Sequence, residues 1–125
     1  MATRIFTVSE ANELLAELRP LAEEMVAHRR ALAEAAESRA QLAGRIAGNG
    51  GGMEPQELVD VHEAIEREAG AVARIVEEIQ SHGVLVKDLD QGLLDFPALR
   101  GEEEVLLCWC VGEEEIGYWH GLEEG

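Results

Sequence analysis

The chain has 125 residues and a formal net charge of -16, from 26 acidic and 10 basic side chains. Because binding to nucleic-acid phosphates needs clustered lysine and arginine, this charge excludes nucleic acid and disfavours anionic membranes as partners. No apolar run approaches the roughly 20 residues that cross a bilayer, and residues 1–6 lack the apolar segment of a signal peptide. These features predict a single cytoplasmic domain over residues 1–125.

A first long helix is predicted over residues 7–48. Thr7 and Glu10 match the capping-box pattern, in which each side chain accepts a hydrogen bond from the other residue's backbone N–H. Since proline inside a helix removes a backbone hydrogen bond, we expect a kink or a short break near Pro20. Apolar or small residues, with two polar exceptions, recur at the spacings of one helix face: Ala11, Leu14, Leu18, Leu21, Met25, His28, Leu32, Ala35, Arg39, Leu42 and Ile46.

A second helix is predicted over residues 54–82, after a glycine-rich turn at 48–52. Pro55 suits the first helical position and Gly83 suits the residue just past the end. Two helices joined by a short turn lie antiparallel, so they form a hairpin. Along the second helix, mostly apolar residues recur at spacings of three and four and form its seam: Leu58, His62, Ile65, Ala69, Val72, Val76 and Ile79. Further small or apolar residues flank both seams, which predicts a homodimer through the helices; the alternative is that the C-terminal part folds back over them.

A β module is predicted over residues 84–120. Strand candidates are 84–86, 93–96 (ended by Pro97), 105–111 and 116–119, with a tight turn at 87–92 that is rich in aspartate and glycine. The continuous apolar run at 105–111 is typical of a strand covered on both faces. The sequence therefore predicts an α+β fold, a long antiparallel helical hairpin followed by a small antiparallel sheet of three or four strands.

Metal chemistry has weak candidates. His28 and His62 lack the Glu-x-x-His pattern of two-metal helical sites. A hairpin that closes near residues 50–51 also separates them by about 15 Å along the axis, so we interpret both as polar seam positions. The candidate ligands of a divalent metal ion are His120, Asp95 and Cys108, although a structural zinc needs four ligands and buried cysteines commonly pack as small apolar groups.

Short motifs in the β module carry a resemblance to a known family. They are Gly-Val at 83–84, Lys-Asp-Leu-Asp-x-Gly-Leu at 87–93, Asp-Phe-Pro at 95–97, Leu-Cys-Trp at 107–109, Gly-Glu at 112–113 and Tyr-Trp-His at 118–120, with Phe-Thr at 6–7 and Glu-Ala-Asn at 10–12. This set resembles a bacterial family of small conserved proteins that is catalogued only as a domain of unknown function. The resemblance covers nearly the whole chain and implies no activity, and Cys110 departs from the pattern, which argues against a dithiolate site.

Two functional hypotheses follow. The first is a non-catalytic dimeric interaction protein whose acidic β module contacts a basic protein partner, since residues 87–125 carry eleven acids and two bases. The second is a small-ligand or divalent-metal binding protein, or a small enzyme, with its site between the β module and the helices. In that site His120 would act as ligand or general base and Asp95 would orient it. Its candidate residues are Lys87, Asp88, Asp90, Asp95, Trp109, Glu113, Trp119 and His120.

Overall fold

A computed structural model describes residues 4–49 and 54–121. The helices pack together, and the strands form one antiparallel sheet. The predicted α+β fold, a helical hairpin followed by a small antiparallel sheet, is confirmed. None of the described helices is long and apolar enough to cross a membrane. In chain order the elements are α1 Val8–Asn49, α2 Pro55–Ser81, β1 Leu85–Asp88, β2 Leu93–Arg100, β3 Glu103–Cys110 and β4 Tyr118–Gly121. In the sheet the strands lie in the order β1-β2-β3-β4.

The ends of the helices follow the local sequence signals. The Thr7 N–H donates to Glu10 Oε1 at 2.9 Å and the Glu10 N–H donates to Thr7 Oγ1 at 3.0 Å, which confirms the predicted capping box. After α2, Gly83 has φ +88° and its N–H donates to the Gln80 carbonyl at 2.9 Å. A positive φ is inexpensive only for glycine, so Gly83 ends the helix as predicted.

Helix α1 is continuous through Pro20, so a break is absent there, and the alternative of a kink within the helix stays a prediction. Proline costs the helix one backbone hydrogen bond. The neighbouring turns offset this cost because Leu18, Ala22 and Met25 are fully buried against the sheet. Packing of the helix face therefore overrides the local preference of the proline.

Strand β2 also continues past its expected end. The sequence predicted that Pro97 would close this strand, but β2 runs to Arg100 and pairs Pro97 with Leu106 of β3. On the side of β2 where β1 has ended, the Pro97 carbonyl accepts a hydrogen bond from the Phe6 N–H at 2.7 Å. The N-terminal segment thus binds the carbonyl of Pro97. Because β1 is not paired with β2 at this position, the missing N–H of Pro97 costs the sheet little stability.

The hydrophobic core lies between one face of the sheet and the base of the hairpin. Helix α1 contributes residues 11–25, and α2 contributes Ile75 and Ile79. Phe6 joins them and packs edge to face on Phe96, with the ring centroids 5.4 Å apart. The inner positions of the sheet complete this core: Val84, Leu94, Phe96, Ala98, Val105, Leu107 and Trp109.

The distal half of the hairpin projects beyond this core. We call residues 30–49 of α1 and 55–70 of α2 the arm; among the described residues, none of the arm belongs to the core cluster. One polar contact joins the two helices of the arm, from Arg45 Nη2 to Glu57 Oε2 at 2.8 Å. A second lies at the base of the arm, between His28 Nδ1 and Glu68 Oε1 at 2.5 Å. His28 is therefore a polar seam position whose ring is bonded to the facing helix.

Candidate functional site

The turn between β1 and β2 uses its own carboxylates. Asp88 Oδ1 accepts hydrogen bonds from the backbone N–H of Asp90 at 2.8 Å and of Gln91 at 3.0 Å. Asp90 Oδ1 accepts from Arg29 Nε of α1 at 3.0 Å. Lys87 is exposed beside them. In this arrangement Asp88 shapes the turn and Asp90 ties it to the helix.

Trp109 and Glu113 meet at the loop between β3 and β4. Trp109 is fully buried, and its Nε1 donates to the Glu113 carbonyl at 3.0 Å. The Glu113 side chain turns back, and its Oε1 accepts from the Cys110 N–H at 2.7 Å. Both residues thus hold the loop in place, and the Trp109 ring lies in the core.

Helix α1 holds the same loop with two side chains. Arg19 Nη1 donates to the Glu113 carbonyl at 2.8 Å, and its Nη2 donates to the Glu114 carbonyl. The guanidinium carbon lies 5.4 Å from the Trp109 ring centroid. Asn12 Oδ1 accepts from the Ile116 N–H at 2.9 Å. We call Arg19 and Asn12, together with the backbone of residues 113–116, the loop clamp.

Sequence reasoning missed Arg19. Its partners are backbone carbonyls, which leave no trace in the sequence. One signal was present, since Arg19 is the only lysine or arginine in residues 8–28, a stretch with five acids. The guanidinium of arginine carries several donors in a rigid fork, so an isolated arginine among acids was a candidate for a specific contact.

Asp95 lies on the other face of the sheet. Strand residues alternate between faces, so Leu94 and Phe96 point into the core and Asp95 points away from the helices. In the β2–β3 register Asp95 is opposite Cys108, and these residues are 3% and 4% exposed. The structure therefore places these two candidate ligands side by side, on the face opposite Trp109.

The last two candidates are in β4. Trp119 is 40% exposed, and the Arg100 guanidinium lies over its ring at 4.2 Å from the centroid. His120 is opposite Leu106 in the β3–β4 register, and its side chain lies outside the described part of the structure. The eight candidates are thus distributed over the β1–β2 turn, the core, the outer face of the sheet and β4.

Cys110 contacts both the β1–β2 turn and the β3–β4 loop. Its Sγ donates to the Gln91 carbonyl at 3.3 Å. Burial, and then the nearby carboxylates of Glu113 and Asp88, raise the pKa of the Cys110 thiol. The protonated form is therefore favoured, which is the form that donates this hydrogen bond and not the form that binds metals. Among the described residues no three or more His, Cys, Asp or Glu side chains cluster as a metal site.

One groove lies on the arm, between its two helices. It has a volume of about 480 Å³ and is bridged by the Arg45–Glu57 ion pair. Leu42, which is 5% exposed, is its most buried lining residue. The lining residues are Ser38, Gln41, Leu42, Arg45, Glu57, Asp60 and Val61.

Comparison with known proteins assigns the chain to a family and to no activity. The model of the family described as uncharacterized conserved protein (DUF2203) matches residues 4–125. No curated protein and no solved structure matches the chain. Since the family model spans almost the full length, including both helices and the whole sheet, this chain belongs to the DUF2203 family of uncharacterized conserved proteins.

Proposed function

We propose that this protein is a non-catalytic interaction protein that self-associates through its arm. The base of the hairpin has a complete core, while the arm has only the contact between its two helices. A hairpin alone buries one stripe of each helix, so the flanks need another surface. A second copy supplies that surface with no further component.

The exposure of apolar side chains along the hairpin carries this proposal. At the base, Leu18, Met25 and Ile79 are fully buried, whereas in the arm Ile46 and Val59 are each 45% exposed. The arm seam is only half-buried at Leu32, Leu58 and Ile65. Self-association that covers Leu58 and Ile65 would remove their remaining apolar surface from water, at about 25 cal/mol for each Å².

The acidic β module supports a second contact, with a basic protein partner. Residues 87–125 carry eleven acids and two bases, so this part of the chain presents a negative field. A complementary positive surface would be attracted to it, and the attraction would weaken as salt is added.

A ligand-binding or metal-binding function is the second candidate. Asp95 favours it, because a carboxylate that is 3% exposed is unusual on a sheet face away from the core. Elemental analysis of the untagged protein tests this candidate. It requires a transition metal near one per chain that is lost in both Asp95→Asn and His120→Ala; a metal-free protein excludes the metal version.

The molar mass of the full chain in solution tests self-association. Sedimentation equilibrium at micromolar concentration should give about twice the chain mass of 13.6 kDa. Leu58→Asp should reduce this to the single-chain mass with unchanged helical circular dichroism, because Leu58 is half-buried on the arm and the dimer would bury an unpaired carboxylate there. Ile5→Asp is the control, since Ile5 is 38% exposed and lies outside the arm, so this variant should stay dimeric. A wild-type chain that is monomeric at these concentrations would overturn the proposal.

A further inference from the structure

The face of α1 that the sheet covers continues into the arm, where no described residue of the chain covers it. At the base, Ala22 is fully buried and Val26 lies under the sheet, with its Cγ2 2.8 Å from where a Cβ on Gly92 would stand. Arg29, one step further, binds Asp90 at the end of the sheet. Past this point the same spacing of three and four residues carries only alanines, four exposed and one half-buried: Ala33, Ala36, Ala40, Ala43 and Ala47.

The adjoining stripe of α2 has the same character. Counting back from Val76, which packs against the core, the spacing leads to Val72, Ala69, Ile65, His62 and Leu58. The two stripes together contain no carboxylate, although the chain has a net charge of -16. A basic partner would find no counter-charge on this face, so the face fits an equally uncharged and apolar surface.

The alanine stripe suits a two-fold partner. Its members lie seven and four positions before Ala40 and three and seven positions after it, so the stripe reads almost the same in both chain directions. A two-fold axis that crosses the helices near Ala40 would bring the stripe against itself. Such a surface is self-complementary, which is the requirement for a closed dimer.

We propose that two copies pack these faces together with their arms antiparallel, so that each arm tip lies beside the partner's sheet. The position of the sheet favours antiparallel arms, since at the base of each hairpin the sheet occupies the same helix face that carries the alanine stripe in the arm. Arms that pointed the same way would force both sheets into one gap, and helices in contact leave only about 8–10 Å between their axes. Antiparallel arms avoid this collision. This inference rests on the proposed self-association and adds its geometry.

The contact is large enough for a dimer. Twenty residues of α1 give an overlap of about 30 Å, and two helices side by side are about 20 Å wide. Each copy would then bury about 600 Å², or about 1,200 Å² for the pair, which is the lower end of the standard size for stable interfaces.

Distances between nitroxide labels on the full chain test the arrangement. Single cysteines at Glu34, Gln41 and Gly48 are exposed, off the alanine stripe and seven residues apart. They are introduced into a Cys110→Ser background, in which the remaining Cys108 is too buried to react. Antiparallel arms predict the shortest distance between the two Gln41→Cys labels and clearly longer distances at the other two positions, where the paired labels are offset by about 20 Å along the helix axis.

Each outcome decides a different point. Similar distances at all three positions in a dimer would overturn the antiparallel geometry and leave self-association standing. A monomer would overturn both. As a second measurement, Ala40→Glu should dissociate the dimer while its neighbour Gln41→Glu should not; a dimer that tolerates Ala40→Glu would contradict the proposed face.

Discussion

At the scale of the residue, Gly92 has the least room for a side chain among the glycines that the structure describes. Its φ is +70°, which only glycine adopts readily, and a Cβ there would stand 2.4 Å from Val111 Cγ2 and 2.8 Å from Val26 Cγ2. The backbone of the β1–β2 turn therefore touches both α1 and the end of β3. This close approach fixes the sheet against the hairpin where the arm begins.

Gly92→Ala should lower the free energy of unfolding by about 3 kcal/mol, because the positive φ and the overpacked methyl group each cost about 1–2 kcal/mol. Gly101→Ala is the matched control. Gly101 has φ +65° but no atom within 4 Å of an added Cβ, so it should lose only the backbone part, about 1 kcal/mol. Urea unfolding measures both, and equal losses would show that the two valines move aside.

At the scale of the element, helix α1 depends on packing more than on local preference. Pro20 lies in its interior, on an exposed position between buried turns. The capping box and the apolar periodicity were readable in the sequence because both are local patterns. The continuity through Pro20 and Pro97 was not, since it depends on which tertiary contacts oppose the proline.

Pro20→Ala should raise the free energy of unfolding by about 2 kcal/mol, because alanine restores the backbone donor and removes the ring from the preceding turn. Thermal and urea unfolding measure the change, with Glu23→Ala, another exposed position on α1, as the control for general helix propensity. An unchanged or lower stability would mean that α1 bends at Pro20, so that the new backbone N–H has no carbonyl within hydrogen-bond distance.

The candidate site shows where sequence reasoning stops. Asp95 and Trp109 were grouped because both lie in apolar strands of one module. Their separation follows from register, since Trp109 is opposite Leu94 and shares its face, and Asp95 is opposite Cys108 on the other face. A one-residue shift in pairing exchanges the two faces, and a single sequence does not specify that shift. The loop clamp was missed for a different reason, because its acceptors are backbone atoms.

At the scale of the whole molecule, the loop clamp joins the hairpin to the loop between β3 and β4. Arg19 is 94 residues from Glu113 and 95 from Glu114, and it holds both carbonyls with one guanidinium. The rigid, planar fork of the arginine guanidinium is suited to serve two neighbouring acceptors at once. The loop between β3 and β4 therefore depends on α1 for its position.

Arg19→Lys should lower the free energy of unfolding by about 2 kcal/mol, since a lysine ammonium replaces at most one of the two charged hydrogen bonds. It should also shift the fluorescence of Trp109, measured in a Trp119→Phe background. Arg30→Lys is the control, because Arg30 is exposed on the arm. Loss of stability without a change in Trp109 fluorescence would contradict the clamp as the cause.

The order of the elements along the chain also has a consequence during synthesis. The base of α1 packs on strands that begin about seventy residues after it, so its apolar face leaves the ribosome long before its cover exists. The arm needs no strand and can pair while the sheet is still being made. If the arms self-associate as proposed, neighbouring nascent chains on one message would meet through their arms first and the sheets would form on an existing pair, so that assembly would depend on the rate of translation.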